Sequence, residues 1–284
     1  MVYNDAKQNR IKTEGKFRNM KIPALIRGRR RRFVLVLLII VLFGVYVLSR
    51  DYRLLMSYYS CDAVTKMADT AGTCLNIQLG QLRTFEQILD AAKEKNPCLY
   101  MRIYGDYQEC LPLDMQHMES MRTSAMHAAQ NLGYENAVFR WSGYGFDPQT
   151  VDVLAYRTQS LAAVYNEYMK TLDWMIRDER LRKKHGKTYV SLLSAVIEAD
   201  RKVSIGLYQL TIRQMFSLRE LQYGEYSDKR MLENLTQEEW EDLIHLDEAS
   251  LKAKHMHWLY LLWEAKYELD AYRNQIGQEA GYGT

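Results

Sequence analysis

Proline is scarce and then absent: four residues in 284, at 23, 97, 112 and 148, and none afterwards. Interior proline breaks a helix, so its lack over the last 136 residues permits long uninterrupted helices there. The motifs that announce common chemistry are also missing. There is no HExxH, no CxxC and no glycine-rich phosphate loop. Those absences argue against a zinc hydrolase, a thioredoxin-like redox centre and a nucleotide-binding site of the familiar kinds. No cofactor and no metal site is expected. Cysteine is rare and one-sided, with four residues at 61, 74, 98 and 110 and none before them.

Long apolar runs are equally rare, and the single example dominates the chain. From Phe33 to Leu48 sixteen residues carry no charge, and all but Gly44 are bulky and apolar. A membrane-spanning helix takes roughly 17–25 residues, so this run sits at the short end. Ser49 extends it, and Arg32 and Arg50 can keep their stems in hydrocarbon while the charges reach the interfaces. Residues 33–49 are therefore expected to form a transmembrane signal anchor. A cleaved signal peptide competes weakly, because the basic region is long and the apolar run exceeds the usual range. The next most apolar window, "HWLYLLWEA" at 257–265, is too short and carries Glu264.

Charge sets the expected direction. Eleven Lys or Arg precede Phe33, against only Asp5 and Glu14. Five of them, Arg27, Arg29, Arg30, Arg31 and Arg32, crowd the last six positions before the span, where the positive-inside bias is read. Residues 50–284 hold 27 basic and 33 acidic side chains, so the formal charge of +3 combines a basic tail with a mildly acidic body. The expectation is a cytoplasmic tail (1–32) at a cell membrane and an extracytoplasmic body. The tail's arginines would be drawn to anionic lipid, each by about 1 kcal/mol near the surface, rather than to nucleic acid.

Four cysteines confined to an exported segment suggest two disulfides. Three pairings are open. Cys98 with Cys110 is favoured, because "CLYMRIYGDYQEC" reads as a hairpin turning near Gly105, which leaves Cys61 with Cys74. Residues 50–148 are thus expected to be a membrane-proximal helical segment containing that small disulfide-linked hairpin. Within it, "TFEQ" at Thr84 reads as a helix start, Asn96-Pro97 as a stop, and 113–132 as a further helix.

Residues 149–284 read as a bundle of long helices with coiled-coil-like packing. Leu154, Thr158, Leu161, Tyr165, Tyr168, Leu172 and Met175 recur at steps of four and three. Gly186 is expected to end that helix after a cationic last turn, "RLRKKH". A second helix is expected over 188–223. A third should begin at Thr236, where "TQEE" is a capping box, and carry Trp258, Leu262, Ala265, Leu269, Tyr272 and Ile276 on one seam. The overall class is mainly α, with an elongated body.

Candidate sites are few. Trp141, Tyr144 and Phe146, with Asp147 and Asp152 nearby, make a glycine-broken aromatic loop suited to a sugar or peptide. The residues Trp258, Leu262, Leu269, Tyr272 and Ile276 form a seam suited to a protein partner or a second copy. The methionines and histidines between Met115 and His127 include soft metal ligands, yet helical spacing puts the methionines on a core face and the histidines opposite. The run Arg177–Lys187 is dense in cations, which suits either a solvated helix end or an anionic head group. The function these features favour is a membrane-anchored interaction or structural subunit. The alternative is a binding module or hydrolase at the Trp141–Asp152 loop.

Overall fold

A computed structural model describes the backbone of residues 24–94, 96–131, 149–215 and 235–281, and side chains over the same ranges except 24–31, 49–62 and 131. Every regular element among them is helical: α1 Ala24–Lys93, α2 Pro97–Asn131, α3 Gln149–Arg177, α4 Glu179–Met215, α5 Gln237–His245 and α6 Glu248–Ala280. The chain divides into two compact units, Met1–Ser57 and Tyr58–Thr284.

In the first unit the described part is the beginning of α1. Its bulky apolar side chains from Phe33 to Leu48 are all exposed, between 38% and 72%. Among the described residues no helix is long and apolar enough to cross a membrane. The fully described apolar stretch ends at Leu48, and the side chains of 49–62 lie outside the description. Arg32 is exposed; the side chains of Arg27, Arg29, Arg30 and Arg31 also lie outside the described set.

The second unit is a bundle of antiparallel neighbours. Arg157 on α3 reaches Asp200 on α4, and Tyr189 on α4 donates to the carbonyl of Tyr168 on α3 at 2.7 Å. Both pairs centre on Asp178, the single non-helical residue between the two helices. Contacts of α4 with α6 run from Lys184–Glu279 to Asp200–Lys266, again antiparallel and the most extensive pairing. Phe85 of α1 stacks on Tyr165 of α3, with centroids 4.4 Å apart, and meets the edge of Tyr107 on α2 at 5.0 Å. Leu89, Leu172, Leu193, Val196, Leu269 and Ile276 join this core. A second cluster holds Leu75, Met118, Leu154, Ile205, Tyr208 and Leu243.

Several expectations are corrected. Residues 97–131 are one helix, not a hairpin, and no strand occurs among the described residues. Tyr100, Tyr104, Tyr107 and Leu111 step by four, three and four, so a helix puts all of them against the core. An alternating strand would split them between two faces. Twelve residues along a helix separate Cys98 from Cys110 by ~18 Å, far beyond the reach of a disulfide. Cys74, Cys98 and Cys110 are all free, so neither expected bridge forms. The Cys61 side chain lies outside the described set. Cys74 is packed in the second core cluster, where burial pushes its thiol up to about 11.

Helix boundaries move as well. Thr84 caps nothing: α1 continues through it, and its hydroxyl donates to the carbonyl of Gly80 at 3.0 Å. The α3 helix ends at Arg177, nine residues before Gly186, because the Asp178 carboxylate accepts from the amides of Arg180 and Leu181 and starts α4. Gly186 sits inside α4. The capping box at Thr236 is present, with Glu239 accepting from the Thr236 amide at 2.7 Å. The helix it starts stops at His245, and Asp247 caps a separate α6.

Candidate interaction surface

Helix α6 is apolar on two sides. Its inner row, Leu262, Leu269 and Ile276 flanked by Trp258, Ala265 and Tyr272, packs on the core shared with α4. Backbone approach there is close. An added Cβ on Gly206 of α4 would lie 2.8 Å from His255 Nδ1 and 2.9 Å from the Trp258 ring. Tyr272 is fixed by its hydroxyl against His185 Nδ1 at 2.9 Å. The five seam residues read from the sequence therefore meet this chain's own helices.

The outer row is Met256, Tyr260, Trp263 and Tyr267, at steps of four, three and four. At 100° per residue all four fall on one narrow face, roughly opposite the inner row. They are exposed by 63%, 55%, 62% and 67%. Tyr260 and Trp263 have centroids 6.3 Å apart, and Trp263 stacks on Tyr267 at 5.8 Å and 23°. Glu264 accepts the Tyr260 hydroxyl, and that bond together with the carboxylate's charge raises the phenol pKa. Stacking pre-orders these rings, so little side-chain entropy remains to be lost on contact. Large aromatics with a polar rim are the composition of binding hot spots.

Behind the inner row lies a buried ionic cluster. Asp200, fully buried, takes Arg157 at 2.8 Å, Lys266 at 3.3 Å and the Tyr165 hydroxyl at 3.1 Å. Burial first, then the Asp200 charge, raises the Tyr165 pKa well above its ordinary value. The cluster ties α3, α4 and α6 together and thereby sets how α6 is rotated. At the far end Glu279 accepts from Lys184 at 2.7 Å and lies 2.9 Å from His185, which together hold its carboxyl at about 2.

Of the aromatic loop only Asp152 is described. It opens α3, and its carboxylate accepts from Arg122 at 2.6 Å. Trp141, Tyr144, Phe146 and Asp147 lie outside the described residues. Met118 is buried, while His117 and His127 are exposed on the other side of α2. Among the described residues no group of three His, Cys, Asp or Glu side chains is placed to hold a metal ion. The outer row of α6 was missed in the sequence because it lies two residues out of phase with the stronger inner seam. The signal was present as the same four-three-four spacing.

No family model matches this chain, and neither a curated protein nor a solved structure is found similar to it.

Proposed function

We propose that this protein is a signal-anchored, single-pass membrane protein. Its helical domain would lie outside the cytoplasm as an interaction or structural subunit of a membrane or envelope complex, with the outer row of α6 as its docking face. The observation that carries the reading is that row: four large side chains, three of them aromatic and in ring contact, facing solvent on a helix whose other face is already packed. Scattered exposed apolar residues are ordinary, but a contiguous, ordered strip marks a contact surface.

The anchor rests on the uninterrupted exposed apolar run from Phe33, and its direction on the cationic residues before it. The basic tail would hold anionic lipid. With Cys74, Cys98 and Cys110 free, disulfides no longer argue for export, and charge asymmetry bears that part alone.

Photoreactive residues placed singly at Tyr260, Trp263 and Tyr267 in the membrane-embedded protein, with exposed Glu94 as control, test the docking face. Adducts to one protein, or to a second copy, from the three α6 positions and none from the control are expected. Uncross-linked monomer at all three would sink the reading.

A further inference from the structure

A second surface of the bundle lies at the tip where α1 and α3 end and α4 begins. There a cleft of about 660 Å³ is walled by Ala92 and Lys93, by Leu172, Met175 and Ile176, and by α4 from Glu179 to Ser194. A smaller recess of about 150 Å³ shares Ala92, Ile176 and Arg182 with it and extends the apolar surface to Tyr100. The volume falls within the range of small-molecule sites. The floor is hydrocarbon, from Leu172, Met175, Ile176 and Val190, and the rim is cationic, from Lys93, Arg182, Lys183 and Lys187.

The rim charges are under-neutralised. Arg182 and Lys183 share one carboxylate, Glu179, each at 3.3 Å, and among the described residues Glu179 is the sole acid lining the cleft. Lys93 leans away to Asp90 at 2.9 Å, and Lys187 has no ion-pair partner among the described residues. Their place in the helix also differs from the expected one. In the sequence these cations read as the last turn of a helix, where they complement the dipole. They instead follow the start of α4, where Arg182 closes the first turn at the helix's positive end, which draws anions. Asp178 and Glu179 offset part of that field, but neither is paired with Lys187. Gly186 also lines the cleft. A glycine inside a helix is disfavoured, yet here it leaves the cleft wall bare, and a Cβ would meet only the Arg182 Cγ at 3.5 Å. Packing does not require the glycine.

We infer that this cleft binds a single-chain anionic amphiphile, of which a long-chain fatty acid is the simplest, with its acyl chain on the apolar floor and its head group among Arg182, Lys183 and Lys187. Charge complementarity selects the head, and the hydrocarbon floor, continued into the smaller recess, selects the tail. The inference is independent of the docking face on α6.

The test uses the full chain in phosphatidylcholine nanodiscs with palmitate carrying a diazirine at mid-chain, irradiated and mapped by peptide mass spectrometry. Adducts should concentrate on the peptides containing Leu172–Ile176 and Val190, be competed by excess palmitate, and be weaker with a hexadecanol analogue that lacks the charge. Lys187→Glu, at an exposed position unpaired among the described residues, should reduce that labelling about tenfold. Gly186→Leu should reduce it as well, since leucine favours the helix and projects into the opening. Labelling confined to residues 33–49, labelling of the cleft that both variants leave unchanged, or equal labelling by the uncharged analogue would each overturn the assignment. Circular dichroism of both variants establishes that a loss of labelling is not a loss of fold.

Discussion

At the residue scale, Gly206 decides how closely α4 and α6 approach. A Cβ there would press on His255 Nδ1 and the Trp258 ring below 3 Å, and an indole cannot swing aside as a flexible chain end can. Helix propensity alone favours alanine by about 1 kcal/mol, whereas overpacking costs roughly 1–3 kcal/mol. Gly206→Ala should therefore destabilise by about 1 kcal/mol in a urea melt, and a gain in stability would mean that the helices separate freely. His255 sits beside this contact with Nδ1 unbonded. Burial, then the positive charge of Arg157, lowers its pKa below 6.5. The unfolded chain therefore takes up the proton first. Stability from this group is fully present above about pH 6.5 and is lost as pH falls through the depressed folded value. Thermal melts from pH 8 to pH 5 should show that decline, and His255→Leu should flatten it. An unchanged slope in the variant would assign the pH dependence elsewhere.

At the scale of elements, the joint between α3 and α4 is one residue long, and Asp178 does the work of a loop. Its carboxylate bonds the amides of Arg180 and Leu181 at 2.8 and 3.2 Å, while its own amide donates to the carbonyl of Trp174 at 3.0 Å. Asp178→Ala should cost about 1 kcal/mol, the usual worth of an N-cap. Asp178→Asn should recover most of that loss in the same melt. Equal losses for the two variants would mean that charge at the helix start, rather than the hydrogen bonds, holds the turn. The same joint explains why Gly186 misled. A glycine after a basic run resembles a helix end, but a carboxylate placed to satisfy two amides is the stronger start signal.

For the whole molecule, the proposed topology predicts which side of the membrane meets the free thiols. Cys98 and Cys110 are exposed, and Cys74 is buried with a thiol that stays protonated at neutral pH. In a Cys61→Ala background an impermeant maleimide should label Cys98 and Cys110 in intact cells. Labelling that requires permeabilisation would place the bundle on the cytoplasmic side and reverse the proposed direction. The helical class, the long helices after Pro148, the capping box at Thr236 and the inner seam of α6 could all be read from periodicity, because each is a local pattern of burial. The continuous α2 was not read, because Gly105 midway between two cysteines resembles a hairpin turn, while the surface that Tyr107 meets comes from Phe85, itself stacked on Tyr165 of a distant helix.

What the sequence determined by itself is therefore the set of local quantities. The apolar run and its flanking charge, the helical period and the caps each depend on residues within a turn or two. Tertiary structure decided everything that depends on which faces meet. It consumed the Trp258–Ile276 seam inside the bundle and left Met256, Tyr260, Trp263 and Tyr267 outside. It also placed the cations of 182–187 just after the start of a helix rather than at its end. The physical reason is that a helix with two apolar rows can bury either one. Only the partner helix, brought to contact distance by Gly206 and oriented by the Asp200 cluster, breaks that symmetry.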